Sequence, residues 1–196
     1  MSNYEAAIQR FREWLDEAHE TEGIVDATAM NLATATADGR PSARTVLLKQ
    51  FDEAGFVFYS NGRSRKGRQL AANPRAALTF HWEPLQRQVM IEGAVQPVSD
   101  AESDAYFASR PRLSQIGAWA SQQSEVLESR AAFDAQVEAI EARFEGQPVT
   151  RPPHWGGYRL RPDMLEFWQG REGRLHDRER AYRAESGDWD WVLLNP

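Results

Sequence analysis

Between Trp168 and Arg178 the chain reads Trp-Gln-Gly-Arg-Glu-Gly-Arg-Leu-His-Asp-Arg, setting an indole, an imidazole and three guanidinium groups within eleven residues. Arg174, His176 and Arg178 alternate, and on a β-strand that alternation turns all three side chains to one face. Fixed cations beside an aromatic ring suit a planar, anionic ligand, because a guanidinium can grip phosphate with a forked donor pair and also stack on rings. The competing reading of such a run is a solvated, charged edge strand.

Three other segments carry comparable chemistry. The loop Asn61-Gly-Arg-Ser-Arg-Lys-Gly-Arg68 places Arg63, Arg65, Lys66 and Arg68 between a strand and a helix start. Backbone N–H groups and cationic side chains can converge there on one anion. Arg44 and Lys49 close the two ends of an apolar run, Thr45-Val-Leu-Leu48, and their opposite parity turns them to opposite faces of an ideal strand. Tyr106 and Arg110 lie four apart at a helix end, with Ser114 just beyond Pro111, so a phenol, a guanidinium and a hydroxyl can form a second oxyanion site. Metal chemistry is disfavoured, since His19, His81, His154 and His176 are scattered without ligand spacing. No acid pair, Ser/His/Asp arrangement, Walker loop or glycine-rich dinucleotide fingerprint stands out.

These basic clusters stand against an acidic background, a formal charge of -6 over 196 residues, which argues against a general nucleic-acid binder. Cysteine is absent, removing disulfides, thiolate zinc sites and cysteine nucleophiles together and fitting a reducing compartment. No apolar signal region or membrane-length stretch is present, so the expected location is cytoplasmic.

The positioning elements follow from periodicity. Asn3 to Glu22 reads as a helix capped by Asn3 and stopped by Gly23, with Ile8, Phe11, Leu15 and Ala18 on one face. Strands are expected at Met30–Ala37, Ser42–Gln50 and Phe56–Ser60, joined by Asp38-Gly39 and Asp52–Gly55 turns. A short helix ends near Asn73-Pro74, and strands follow at Arg75–Trp82 and Arg87–Val95. Ser99-Asp-Ala-Glu102 has the form of a capping box for a helix that stops near Pro111. Arg112 to Ser124 reads as a polar loop and Glu125 to Glu145 as a further helix. The last strands are expected at Gly157–Leu160, Met164–Trp168, His176–Ala184 and Trp189–Leu194. Hairpins outnumber strand–helix alternations, which favours an antiparallel barrel with helices outside it. One domain over 1–196 is expected: an N-terminal helix (1–23), first barrel strands (24–95), a helical segment (99–146) and C-terminal strands (157–196).

Several segments then occur in a telling order: Arg44-Thr-Val-Leu-Leu-Lys49, Phe58-Tyr-Ser-Asn61, Ser64-Arg-Lys66, Arg87-Gln-Val89, Tyr106-Phe-Ala-Ser-Arg-Pro-Arg112, Ser114-Gln-Ile-Gly-Ala-Trp119, Trp155-Gly-Gly157, Glu166-Phe-Trp-Gln-Gly170 and Arg174-Leu-His-Asp-Arg178. From about Ala29 to the C-terminus the chain closely resembles the pyridoxine/pyridoxamine 5′-phosphate oxidases. The resemblance implies an α+β fold, an antiparallel split β-barrel with flanking helices of the FMN-binding type, assembled as a homodimer with FMN at the subunit interface. Carried over by motif, the FMN contacts would be Arg44, Thr45, Val46, Leu47, Leu48, Lys49, Tyr59, Ser60, Arg65, Lys66, Gln88, Gln123, Ser124, Trp168 and Arg178. Lys49, Tyr106, Arg110 and Ser114 would hold the substrate's phosphate, while Arg174 and His176 would face its pyridine ring as catalytic groups. The parity of Arg44 and Lys49 then reads as one contact to each ligand.

The implied reaction moves a hydride equivalent from the 4′ carbon of pyridoxamine or pyridoxine 5′-phosphate to the flavin. O2 accepts the electrons and leaves as hydrogen peroxide, and the amine substrate releases ammonia. Family members commonly carry a further N-terminal segment whose Arg and Tyr close over the substrate; Tyr4 has no basic residue upstream, so weaker sequestration is expected. Another split-barrel flavin reductase would retain the Arg44–Lys49 strand and the Ser64-Arg-Lys66 loop but would not need Tyr106, Arg110, Ser114, Arg174 and His176. A non-catalytic binder of FMN or pyridoxal phosphate is the alternative outside enzymes, because gripping a phosphate does not ensure turnover.

Overall fold

The computed structural model describes residues 1–196. Helix α1 (Asn3–Glu20) is followed by strands β1 (Ala29–Ala35), β2 (Pro41–Leu47), β3 (Gln50–Asp52) and β4 (Gly55–Asn61), then helix α2 (Arg65–Ala72). Strands β5 (Arg75–Trp82) and β6 (Arg87–Pro97) lead to helices α3 (Asp100–Ser109), α4 (Arg112–Ala120) and α5 (Arg130–Arg143). Strands β7 (Trp155–Gln169), β8 (Asp177–Arg183) and β9 (Trp189–Leu194) complete the chain. All nine strands belong to one antiparallel sheet, ordered β2-β1-β5-β6-β7-β4-β3, with β8 on β7 and β9 on β8.

Strand β7 is where the sheet divides. Along one edge it pairs with β6 over most of its length. On the other edge its first part, Trp155–Leu160, pairs with β4, and its last part, Met164–Gln169, pairs with β8. Between them lies Pro162, which has no N–H to give a ladder, and next to it Asp163 is the extra, unpaired residue of a bulge opposite the Glu92/Gly93 step. A Cβ on Gly93 would come within 2.1 Å of the Arg161 carbonyl oxygen, so the close crossing requires glycine. The expected pair of strands Gly157–Leu160 and Met164–Trp168 is therefore one bent strand serving both halves of a split barrel.

Helix α1 closes the barrel by burying Ile8, Phe11, Trp14 and Leu15. Phe11 meets Phe51, Phe56 and Phe80 edge-on at 4.9–5.1 Å, the favourable arrangement for aromatic quadrupoles. A smaller core of Phe107, Ile116, Phe144, Val149 and Trp155 fastens α3, α4 and α5 to the start of β7.

Several expected boundaries move for physical reasons. Ser2, rather than Asn3, caps α1, because Glu5 completes a reciprocal capping box with it. Residues Arg112–Ala120 form α4 instead of a polar loop: Ile116 and Ala120, four apart, are buried, and Pro111 starts this helix as well as stopping the previous one. Helix α5 starts at Arg130, where the Ser129 hydroxyl accepts from Ala132 N at 3.0 Å, not at Glu125. The long strand expected from Ser42 to Gln50 breaks after Leu47, where Leu48 turns into the core and its N–H donates to Thr28 O at 2.9 Å. No helix is long and apolar enough to cross a membrane.

Candidate active site

The loop between β4 and α2 folds back on itself. The Ser64 hydroxyl caps α2, and Gly67 lies so close to Gly62 that a Cβ would sit 2.2 Å from its carbonyl oxygen. The stretch after α4 docks against this loop. Lys66 Nζ donates to Gln123 Oε1 at 2.7 Å, and Arg65 N donates to Ser124 Oγ at 3.1 Å. Ser60 Oγ reaches the same Gln123 oxygen at 3.3 Å. Five of the expected cofactor residues, Ser60, Arg65, Lys66, Gln123 and Ser124, thus come together from three segments.

Arg44 extends from β2 toward this group. Its guanidinium donates to Leu32 O, Thr34 Oγ1, Ser42 Oγ and, more weakly, Gln69 Oε1. Neither Arg44, Arg65 nor Lys66 has a carboxylate partner; every ion pair in the chain involves other cations. Burial, with Arg44 nearby, pushes the Lys66 ammonium down to about 8. Burial and then the Arg65 charge lower Arg44. Two half-buried cations, Arg44 and Lys66, beside the exposed Arg65 and without an acid, form an arrangement that an anion relieves.

Lys66, Gln123 and Ser60 stand on the wall of a cavity of about 430 Å³, which Lys49, Tyr106, Arg110 and Ser114 also line. Thr45, Val46 and Leu47 contribute to the same wall, whereas the Leu48 side chain is buried in the barrel core. Lys49 reaches the cavity because the chain breaks between β2 and β3, so strand parity does not set its direction. Tyr59 stacks on Tyr106 at 4.0 Å and on Trp155 at 5.3 Å, and Arg110 lies 4.7 Å over the Trp155 ring. Arg110 Nη1 is buried without a hydrogen-bond partner. Such a donor costs folding energy unless a ligand meets it. Burial raises the Tyr106 hydroxyl above its ordinary value, against the pull of Arg110, so it stays protonated and able to donate.

The remaining expected residues lie elsewhere. Gln88 on β6 faces Trp168 on β7, and Trp168 faces Arg178 on β8, so the three form one rank across the sheet. His176 leans on Trp168 at 4.6 Å and accepts from Arg171 N through Nδ1 at 3.2 Å, which leaves Nε2 as the protonated nitrogen of the neutral ring. The expected strand row of Arg174, His176 and Arg178 is not formed. Glu172–Arg174 is a single 3-10 turn with Gly173 and Arg174 both left-handed, and β8 begins only at Asp177. The run has no apolar alternation to fix it as a strand, and its glycines favour the turn. Arg174 is exposed and makes no hydrogen bond or ion pair through its guanidinium.

Neither Gln88, Trp168, Arg174, His176 nor Arg178 lines the cavity. Trp155, on the cavity wall, and Trp168 stand at the two ends of β7, a 15-residue strand that at ~3.3 Å per residue spans about 45 Å before its bend is allowed for. Sequence reasoning also left three supporting residues without a role. Glu166 pairs with Arg178 and Arg180. Gln69 accepts from Thr34 and Ser42, at 2.6 and 2.7 Å, as well as from Arg44. Trp155 carries the aromatic wall. For the second, the only signal was the parity of Ser42 with Arg44.

Comparison with known proteins points to one family. Residues 15–144 match the family described as pyridoxamine 5′-phosphate oxidase, and residues 155–196 match the pyridoxine 5′-phosphate oxidase C-terminal dimerisation region. A pyridoxine/pyridoxamine 5′-phosphate oxidase from Rubrobacter xylanophilus is 58% identical over 96% of this chain and 86% of its own length. One from Alkalilimnicola ehrlichii is 55% identical over the whole of both chains. Among solved structures, PhzG from Burkholderia lata, in complex with tetrahydrophenazine-1-carboxylic acid, superposes with a TM-score of 0.88 at 34% identity, covering 96% of this chain and 92% of that one. The cation-lined cavity, the divided barrel and these relatives lead to one conclusion: the chain belongs to the pyridoxamine 5′-phosphate oxidase family, whose FMN-dependent oxidoreductases share its split barrel.

Proposed function

We propose that the protein oxidises pyridoxamine 5′-phosphate, pyridoxine 5′-phosphate or both to pyridoxal 5′-phosphate, with O2 as the acceptor. The observation that carries this reading is the pair of unneutralised cationic groups on one cavity. Lys66 lines it, with Arg44 and Arg65 beside Lys66 but off the wall, and Lys49 and Arg110 line it as well, suiting two phosphate-bearing molecules side by side. The first group would hold the phosphate of FMN and the second that of the substrate. FMN, when bound, supplies the two-electron acceptor that O2 regenerates with release of hydrogen peroxide.

The protein's own share is binding and orientation. Arg110 Nη1, orphaned in the chain, would donate to a phosphate oxygen together with the Tyr106 and Ser114 hydroxyls and the Lys49 ammonium. The Tyr59–Tyr106–Trp155 wall excludes water on that side and strengthens these contacts. Arg174 and His176 would act on the ring, His176 through its Nε2–H. Because they lie toward the far end of β7 from the cavity, they would come from a second copy of the chain, as would Gln88, Trp168 and Arg178. Each dimer would then hold two equivalent sites.

The experiment is oxygen consumption by the FMN-loaded protein with each phosphorylated vitamer. Peroxide and a 4′-aldehyde are expected. Tight binding of both ligands with no peroxide and no aldehyde would leave a binding protein and end the oxidase reading.

A further inference from the structure

Every group that touches the Arg44 guanidinium is neutral. Nη1 donates to Leu32 O at 3.0 Å and Thr34 Oγ1 at 2.7 Å, and Nη2 to Ser42 Oγ at 2.6 Å. Gln69 Oε1, from α2, completes the ring at 3.4 Å while accepting from the Thr34 and Ser42 hydroxyls at 2.6 and 2.7 Å. Thr34 and Ser42 face each other in the β1–β2 register, so one amide oxygen ties two strands and a helix to one arginine. Gln69 is only 4% exposed, and its Nε2 has no partner.

That orphaned amide nitrogen is informative. A glutamate at 69 would offer an oxygen to the same donors, would remove the unpaired N–H and would pair with Arg44. The chain instead holds an amide there and leaves Arg44 uncompensated, beside an equally unpaired Arg65 and Lys66. We infer that Gln69 is a positioning residue that fixes the Arg44 guanidinium and, by being neutral, reserves the cationic charge of the cradle for the phosphate of the flavin. The inference rests on the reading above, in which this cradle takes the phosphate of FMN. It adds a determinant of the choice between phosphorylated and unphosphorylated flavin in a residue outside the cavity wall.

The test is Gln69→Glu, nearly isosteric, with FMN and riboflavin titrated separately into flavin-free protein and followed by quenching of flavin fluorescence. Thermal unfolding of the flavin-free variant is measured alongside. FMN affinity is expected to fall roughly tenfold or more, since a new negative charge enters the cradle. Riboflavin affinity should change by less than about threefold, and the flavin-free variant should unfold no earlier than wild type, because the carboxylate pairs with Arg44. A purely structural Gln69 would weaken both flavins together, and that result overturns the inference. Unchanged FMN affinity overturns it too, as does a variant that cannot fold. If wild type itself binds riboflavin as well as FMN, it is the assignment of the cradle that fails, not only the role of Gln69.

Discussion

Arg178 donates through both Nε and Nη2 to one oxygen of Glu166, at 2.9 and 2.7 Å, while Arg180 takes the other oxygen at 2.9 Å. The carboxylate side chain is 4% exposed and the two arginines about one third. Burial alone would raise Glu166, but hydrogen bonds from Arg180 and Arg178, and then their charges, hold it below its ordinary 4.5. Glu166→Gln leaves two guanidiniums crowded around an amide, and a loss of about 2–4 kcal/mol is expected, less than for a fully buried pair because the arginines are partly solvated. A carboxylate depressed in the folded state contributes stability above its unfolded value and loses it as pH falls through the folded one. Urea unfolding of wild type and variant should therefore differ by a constant amount near neutrality and converge in acid below 4.5.

How much of this was legible in the sequence depended on whether a role is local. The Ser64-Arg-Lys66 loop, the Tyr106–Arg110–Ser114 grouping and the Gln88, Trp168 and Arg178 motifs could be picked out because each is a short pattern. Their assembly could not. Gln123 and Ser124 reach Lys66 and Arg65 only because α4 folds as a helix, and its apolar face, Ile116 and Ala120, was masked by polar neighbours. Pro162 looked like the end of a strand because a proline normally stops a ladder, and only the bulge opposite Gly93 lets β7 continue. Arg174 read as a strand residue because parity was the only rule available. Instead Glu172–Arg174 closes a 3-10 turn, with Leu175 N donating to Glu172 O and Gly173 and Arg174 both left-handed.

Lys66 should make FMN binding sensitive to pH. Its ammonium is pushed down to about 8 in the flavin-free chain, so the charged form is lost as pH rises through that value. A bound phosphate dianion favours the charged form and raises the group again. FMN affinity is expected to fall between pH 7 and 9.5 by roughly tenfold, with riboflavin affinity flat over the same range. Lys66→Met should bind FMN more weakly at pH 7 and remove the slope. A slope retained in that variant would assign the titration to another group.

Arg110 should act on the substrate's phosphate. Its orphaned Nη1 is among the donors with most to gain from an anion, and charge-assisted hydrogen bonds are worth about 1.5–3 kcal/mol each. Arg110→Ala is expected to lower kcat/KM for the phosphorylated substrate by roughly 10²-fold, mainly through KM, while FMN content is retained. Activity toward the unphosphorylated vitamer should barely change. An equal loss toward both would place Arg110 in a structural role.

Arg174 separates stability from activity. Its φ of 62° is costly for a residue with a Cβ, and its guanidinium makes no contact within the chain. Arg174→Gly should leave the melting temperature unchanged or slightly higher, and FMN should stay bound. The same variant should lose roughly 10²-fold in kcat/KM if the guanidinium orients the ring. Loss of FMN in proportion to activity would instead make Arg174 a cofactor contact.

The sharpest consequence of the proposed division of the site between the two ends of β7 is complementation. Arg110 belongs to the cavity beside Trp155, whereas Arg174 follows the Trp168 end of the strand. If each site draws the first residue from one copy and the second from the other, Arg110→Ala and Arg174→Ala homodimers both lack a competent site. In a heterodimer of the two, both lesions fall in one site and the other is native. Unfolding and refolding an equal mixture makes half the dimers heterodimers, with one native site in two, so about a quarter of the wild-type rate should return. Refolding each variant alone should return only its own kcat/KM, roughly 10²-fold below wild type. Were both residues to act on one ligand within a single chain, every site in the mixture would carry a lesion and no rate would be recovered.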